Sequence, residues 1–314
     1  MTEAMSSDSY VLVTAAYNEG KLIEQTVRSM VAQTVRPARW IIVSDGSTDQ
    51  TDEIVQRYAA NNDFIQLYRI TEEHPRNFAA QVYAINRGLK QLKDVPYGLV
   101  GNLDADITLE PEYFARLLEK FRQDPQLGLG GGTICERCSD GEFRPRPVRT
   151  VTAVAHACQL FRRECFEAIG GCYVPLRYGG PDHHAEIQAR MKHWRVVSFP
   201  ELKVFHHRPT NSAEGVLHGW FRQGKMDYSL GALPLFEMFK LLRRVWVKPY
   251  VFGAMARCAG FLDSYRRREK RAVPPDFVAY LRQEQKQRVL DLFRPAGSKS
   301  VPESDCPPPA EHTT

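Results

Sequence analysis

The pattern that most restricts the fold of this chain is a repeated one. A short apolar run is cut off by a cluster of polar residues, and a segment with helical spacing follows. Tyr10-Val11-Leu12-Val13-Thr14-Ala15-Ala16 stops at Tyr17-Asn18-Glu19-Gly20. Trp40-Ile41-Ile42-Val43 stops at Ser44-Asp45-Gly46-Ser47-Thr48-Asp49, and the run from Tyr97 to Leu103 stops at Asp104-Ala105-Asp106. Runs without polar alternation are read as strands covered on both faces, as in parallel sheets between helices. Leu22, Ile23, Thr26, Val27, Met30 and Val31 recur at helical spacing after the first run. A second helix reaches about Tyr58, Phe64 to Ile70 reads as a strand, and Asn77 to Leu92 as a helix with Ala80, Ala84 and Leu89 inward. The alternation predicts a doubly wound α/β fold with a mainly parallel sheet flanked by helices. Ligands of such sheets bind beyond the carboxyl ends of the strands, and all three polar clusters fall at that end.

The last cluster carries the clearest chemistry. Asp is disfavoured within strands, so Asp104 and Asp106 are expected where a strand runs out. In extended backbone, residues i and i+2 point to one side, so both carboxylates can face one spot. Two hard oxygen donors suit Mg²⁺ or Mn²⁺, ions that commonly also take substrate phosphates as ligands.

The second half is less regular. Pro111 to Phe121 reads as a helix and Leu127 to Cys135 as a strand. Cys135 to Arg149 reads as a polar loop, Leu160 to Ala168 as a helix ended by Gly170-Gly171, and Asp182 to Lys192 as another helix. Trp194 to Phe199 and Leu202 to Phe205 read as two short strands. From Gly215 the chain turns helical and basic, with Asp276 capping a final helix to about Phe293 and a Pro- and Ser-rich tail beyond Pro295. The expected organisation is a tail at 1–9, a catalytic unit at 10–214 divided into 10–107 and 108–214, a helical basic region at 215–294, and a disordered tail at 295–314.

With 43% hydrophobic residues among 314, a sizeable core is within reach. The net charge of +5 is unevenly placed: Lys240 to Arg271 holds ten Lys or Arg against Asp263 and Glu269. That excess, mixed with Phe, Leu, Val, Trp and Tyr, points to an anionic membrane surface or to a helical subdomain packed on the core. Nucleic acid is disfavoured because no aromatic platform accompanies the charge. The polar first ten residues show no secretory signal, and the most apolar window, Val245 to Leu262, is broken by Lys248 and Arg257. The expected location is cytoplasmic, with the basic region placing the chain peripherally on the inner face of the cell membrane. Cys135-x-x-Cys138 lacks further cysteines at zinc spacing and is read as free thiols.

In order and spacing these marks resemble family 2 glycosyltransferases of the GT-A (Rossmann-like) fold. The resemblance rests on Tyr17-Asn18-Glu19, Asp45-Gly46-Ser47-Thr48-Asp49, Ala84-Ile85-Asn86-Arg87-Gly88, Leu103-Asp104-Ala105-Asp106, Gly179-Gly180-Pro181-Asp182 and Val204-Phe205-His206-His207-Arg208, and it covers roughly residues 10 to 210. It implies inverting, metal-dependent transfer of a sugar from a nucleoside diphosphate sugar to a glycan or lipid-linked acceptor hydroxyl, in cell-surface polysaccharide or glycolipid synthesis. By the same resemblance Asp106 is a metal ligand, and Asp104 contacts the ribose or metal-bound water. Asp45 accepts a hydrogen bond from the base, which favours uracil or thymine, or else caps the next helix. Tyr17 stacks on the base and Glu19 adds a polar contact. Asn86 and Arg76 contact the nucleotide or tie loops together. Asp182 is the candidate general base, or a helix cap, with Glu186 one turn on as its backup. Strand alternation from Val204 favours His206 over His207 at the metal. Two other readings stand beside this one. A sugar nucleotidyltransferase needs a Gly-rich phosphate loop, which Ala15-Ala16-Tyr17-Asn18-Glu19 lacks; the other is a non-catalytic, membrane-associated nucleotide-sugar binding protein.

Overall fold

The computed structural model describes residues 9–72, 79–138, 140–146, 151–208, 215–244 and 250–292. The first half alternates as its sequence predicts: β1 (Tyr10–Ala16), α1 (Ile23–Val31), β2 (Arg39–Asp45), α2 (Thr51–Ala59), β3 (Ile65–Ile70), α3 (Ala80–Lys90) and β4 (Leu99–Leu103). A short β5 (Ile107–Leu109) follows the aspartate turn, then α4 (Tyr113–Gln123), β6 (Leu127–Arg137), β7 (Phe143–Pro145), β8 (Cys158–Arg162), α5 (Arg163–Ala168), α6 (Pro181–Met191) and β9 (Arg195–His206). Four helices complete the described chain: α7 (Val216–Ser229), α8 (Pro234–Arg244), α9 (Val251–Arg266) and α10 (Pro275–Leu292).

Strand parity builds two cores from one sheet. In β1, Tyr10, Leu12 and Ala16 face α1 and α4, while Val11 and Val13 face α3 and α6. Trp40 and Ile42 divide from Ile41 and Val43 in the same way. Each central side chain is therefore wholly buried, and each contributes about 1.5–3 kcal/mol of apolar burial. In α3, Leu89 is only partly buried, and Val82, Ile85 and Gly88 join Ala80 and Ala84 on the inward face.

The sheet order is β3-β2-β1-β4-β8-β6-β9-β5, with β7 beside β6. The first four strands and the β6–β9 pair are parallel; β8 runs antiparallel to both β4 and β6, and β5 to β9. The sheet is thus mixed rather than mainly parallel in its second half. Three boundaries differ from expectation for a shared reason, that cross-strand pairing is invisible to local pattern. Part of the expected 135–149 loop is a hairpin of β6 and β7, with Cys135 opposite Pro145. Leu160 and Phe161 belong to β8, so the helix begins at Arg163. The two expected strands after Trp194 are one, β9, which follows β6 through an irregularity between Gly132 and Thr133.

The C-terminal helices pack closely. A Cβ at Gly224 of α7 would overlap the Arg257 carbonyl oxygen of α9, and one at Gly260 the Phe221 carbonyl. Between them lies a buried ion network. Asp227 accepts bonds from Arg257 Nε at 2.7 Å and Lys240 Nζ at 2.9 Å, and Lys240 also reaches Glu237 at 3.3 Å. α10 returns to α6 through Phe277, Val278 and Leu281, which meet Ile187 and Leu230. The Phe277 ring stacks on His184 at 5.0 Å, and burial lowers the His184 pKa to about 4.

Burial, with Asp227 nearby, raises the Glu237 pKa to about 7. A carboxyl raised on folding stabilises fully below its unfolded value and loses that contribution as pH rises through the folded one. Glu237→Gln removes this liability. Its melting temperature relative to the unmodified protein should rise between pH 5.5 and pH 8.5 by roughly 2–4 °C, the worth of about 1 kcal/mol in a larger domain. A pH-independent difference in calorimetric scans would refute the assignment.

Candidate active site

The polar ends of β1, β2 and β4 converge as the alternation requires. They border a cleft of about 640 Å³ whose lining includes Tyr17, Glu19, Asp45, Asp104, Asp106 and His206. Asp104 directly follows β4, and its N–H donates to the Ala157 carbonyl at 2.8 Å. Between the two aspartates the chain turns rather than staying extended. Ala105 points into the core, and its carbonyl accepts a 2.8 Å bond from the Thr26 hydroxyl. With the middle residue anchored inward, both carboxylates are left facing the cleft.

The third member arrives from far along the chain. β5 and β9 pair with Ile107 opposite His206 and Leu109 opposite Val204. This register sets His206 Nε2 3.3 Å from Asp106 Oδ1. Ligand atoms of Asp104, Asp106 and His206 all lie within 4.8 Å of one another, a grouping that could hold one metal ion. Two carboxylates and an imidazole suit Mn²⁺ better than Mg²⁺, which strongly prefers oxygen. His207 looks away: its ring packs on Phe143 at 5.1 Å, and its Nε2 lies 2.9 Å from the Thr108 hydroxyl.

Charge is concentrated around this cluster. Burial opposes ionisation of Asp104, but His156, with Nδ1 3.7 Å from Asp104 Oδ1, outweighs it and holds the carboxyl below its ordinary range. Burial likewise disfavours the charged form of His206, yet Asp106 beside it raises the pKa above the usual value. Burial, with Asp106 and Asp104 adding to it, raises Glu19, while Arg208 pulls the other way. Arg208 bonds to Glu19 and sets its Nε 3.7 Å from Asp106 Oδ2, so one guanidinium faces both carboxylates.

The loops after β1 and β2 are joined to one another. Asn18, at φ 52°, accepts the Thr48 N–H on its side-chain oxygen at 2.9 Å. The Asn18 N–H donates to Ser47 Oγ at 3.1 Å, that of Glu19 to Thr51 Oγ1 at 2.8 Å, and that of Gly20 to Asp49 Oδ2 at 2.8 Å. Asp49 serves the start of α2, by accepting the Thr51 N–H at 3.0 Å. Asp45 is the last residue of β2 and borders the cleft, as does the half-exposed ring of Tyr17.

The remaining expected residues are placed differently. Arg76 lies outside the described residues. Asn86 is turned to loop-tying: its amide donates to the Tyr173 carbonyl at 2.7 Å and accepts the Tyr173 N–H at 3.0 Å. Asp182 sits in the first turn of α6, after Gly180 in left-handed backbone and Pro181 at the helix start. It borders a smaller cavity of about 240 Å³ together with Ala153, Val154, Ala155, Arg146 and Glu186. Glu186 is buried there and accepts the Val154 N–H at 2.6 Å, and burial raises its pKa. Sequence reasoning missed His156, Arg208 and Gln81, whose Nε2 donates to Asp104 Oδ1 at 3.0 Å. Arg208 was within reach, since it closes the His206-His207-Arg208 segment. Nothing local marks the other two.

The model of glycosyl transferase family 2 matches residues 11–170, half of the chain. The chain belongs to that family. This glycosyltransferase is 34% identical over 118 residues to the poly-beta-1,6-N-acetyl-D-glucosamine synthase of Staphylococcus aureus, and 30% identical over 118 residues to that of Staphylococcus epidermidis. Those matches take in 38% of this chain and 26% of each relative, so it spans about a quarter of the relatives' length. Among solved structures it resembles the mannosyltransferase PcManGT of Pyrobaculum calidifontis in complex with GDP-Man and Mn²⁺, with TM-score 0.56 and 17% identity over 91% of this chain and 81% of that one. S. aureus TarS 1-349 in complex with UDP-GlcNAc gives TM-score 0.54 and 13% identity over 89% and 83%. GalNAc-T7 with UDP, GalNAc and Mn²⁺ gives 0.58 and 14% over 90% and 57%. The shared architecture is the GT-A fold.

If the acidic cluster holds a cation, Mn²⁺ should raise the thermal midpoint of this glycosyltransferase. A ligand at about 100 times its Kd stabilises by about 2.7 kcal/mol. Asp106→Asn should abolish the rise, and an unchanged rise in that variant would place the ion elsewhere.

Proposed function

We propose that the chain transfers a sugar from a nucleoside diphosphate sugar of UDP or dTDP type to an acceptor hydroxyl, with inversion at the anomeric carbon and dependence on Mn²⁺ or Mg²⁺. The observation that carries this reading is the Asp104–Asp106–His206 cluster. It shares one cleft with Asp45 and Tyr17, at the carboxyl ends of the strands. Solved neighbours of the same fold that hold a nucleotide sugar, or a nucleotide and Mn²⁺, support it.

Asp106, Asp104 and His206 would hold the cation, which when bound supplies Lewis-acid stabilisation of the diphosphate leaving group. Arg208 brings a fixed positive charge to the same end of the cleft, held in place by Glu19. Asp45 accepts a bond from the base and Tyr17 offers it a ring. Asp104 is the acidic contact nearest the ribose, with Gln81 and His156 orienting its carboxylate. On the acceptor side, Glu186 is committed to the Val154 N–H, so proton removal falls to Asp182 in the adjoining cavity. As the acceptor oxygen bonds to the anomeric carbon, its proton passes to Asp182 and the bond to the diphosphate breaks. A single in-line displacement of this kind inverts configuration.

The acceptor is proposed to be a glycan or a lipid-linked glycan met at an anionic membrane surface. Leu235, Met238 and Leu242 form an exposed row on α8, and Phe252, Met255 and Leu262 another on α9. Arg266, Arg267 and Arg268 lie exposed at the end of α9. No described helix is long and apolar enough to cross a membrane. Exposed apolar rows beside basic residues suit an interfacial position.

The test is a donor panel led by UDP-N-acetylglucosamine, with Mn²⁺ or Mg²⁺, read as nucleoside diphosphate release. Asp106→Ala and EDTA should each lower turnover by about 10²-fold or more, the scale of losing a main electrostatic contact to the leaving group. Full turnover in either condition sinks the metal-dependent reading. For the surface, the chain should float with vesicles containing phosphatidylglycerol at low salt, and Phe252→Glu with Met255→Glu should abolish flotation. Equal flotation of the double variant would refute the assignment to α9.

A further inference from the structure

We infer that residues 153–157 form the wall between the donor cleft and the Asp182 cavity, and that the buried Tyr173 hydroxyl is the node fixing that wall. Tyr173 is thus a positioning residue, and the inference rests on the transfer reaction proposed above. Ala153, Val154 and Ala155 line the Asp182 cavity. One residue on, His156 stands 3.7 Å from Asp104, and the Ala157 carbonyl accepts the Asp104 N–H. Five consecutive residues therefore run from the acceptor side to the donor side.

Two side-chain amides hold this wall by its carbonyls. Gln159 Nε2 donates to the Val154 carbonyl at 2.8 Å, and Asn102 Nδ2 donates to that of His156. The amide oxygens of both turn to one hydroxyl: Tyr173 Oη lies 2.5 Å from Asn102 Oδ1 and 2.9 Å from Gln159 Oε1. Tyr173 is itself fixed, since Asn86 of α3 clamps its backbone N–H and carbonyl and its ring meets that of His156 at 5.3 Å. Without the hydroxyl, two buried amide oxygens face each other with no donor between them. Such acceptors are costly, and rotation of either amide to relieve them withdraws a donor from the wall.

The consequence is chemical. In transfer and in hydrolysis alike, the bond from the anomeric carbon to the diphosphate oxygen breaks, and the incoming oxygen gives up a proton. The two differ only in whether that oxygen belongs to the acceptor or to water. A displaced wall admits water to the anomeric carbon and misplaces the acceptor, while leaving the nucleotide contacts of β1 and β2 in place.

The full chain and Tyr173→Phe are compared with UDP-N-acetylglucosamine and Mn²⁺, with and without a tetrasaccharide of N-acetylglucosamine as acceptor. The ratio of hydrolysis to transfer should rise roughly tenfold in the variant, the scale of one buried hydrogen bond. An unchanged ratio overturns the inference. Gln159→Met, which removes one strut, should move the ratio the same way if Tyr173→Phe fails to fold. Hydrogen exchange reads the same wall without turnover. Amides of residues 154–157 should exchange about tenfold faster in either variant, with those of β1 and β2 unchanged. Equal exchange at 154–157 overturns the inference even for a chain that turns over no donor, whereas absent turnover with faster exchange counts against the transfer reaction alone.

Discussion

A three-residue antiparallel ladder governs the chemistry of this chain. β5 is only Ile107 to Leu109, yet its pairing with β9 decides which residue sits beside Asp106. A shift of one residue would put His207 in the place of His206 and turn His206 to the opposite face, because side chains alternate along a strand. The register is secured on both sides. Ile107 and Val204 are fully buried in one core, and the irregularity between Gly132 and Thr133 lets β9 follow β6 before it reaches the site. The arrangement of aspartates, histidine and arginine is thus a product of core packing as much as of the polar residues themselves.

Much of the first half of the fold was legible in the sequence because its information is local. Three apolar runs ending in polar clusters require strand ends, and parallel strands bring those ends to one rim. The turn at Ala105 reached the expected result by another route, since an inward alanine does the work assigned to extended backbone. The second half resisted for the opposite reason. β8 is defined by partners far away in the chain, and Leu160 and Phe161 read as readily helical until their pairing with β4 and β6 is known. His156 has no neighbouring pattern to mark it; only the fold sets it against Asp104. Asn86 carries a recognisable motif, but its amide is used by a loop 87 residues away.

The basic C-terminal region shows how charge counts mislead. Lys240 and Arg257 belong to the excess read from the sequence, yet both are turned inward on Asp227 and Glu237. Arg267 is paired with Asp263. The outward faces of α8 and α9 instead carry Leu, Met and Phe, so the region is partly reversed from the usual soluble helix, with ions inside and apolar side chains outside. Close contact at Gly224 and Gly260 makes this possible, because helices in near backbone contact leave little interior space for large apolar residues. A buried ion network of this kind is weak evidence for stability. Its plain effect is to fix the spacing of α7, α8 and α9, and with it the surface they present.

The joined loops after β1 and β2 bear on the thermodynamics of recognition. Loops that order only around their ligand spend part of the gross interaction free energy on lost backbone entropy. Here the side chains of Asn18, Ser47, Asp49 and Thr51 already accept the backbone N–H groups of Thr48, Asn18, Gly20 and Glu19 across the two strand ends. A nucleotide bound as proposed between Tyr17 and Asp45 would meet a surface whose disorder was surrendered when the sheet folded. Its association should therefore carry a small entropic penalty, and changes in the loop bonds should register as weaker nucleotide affinity before they register as lost stability.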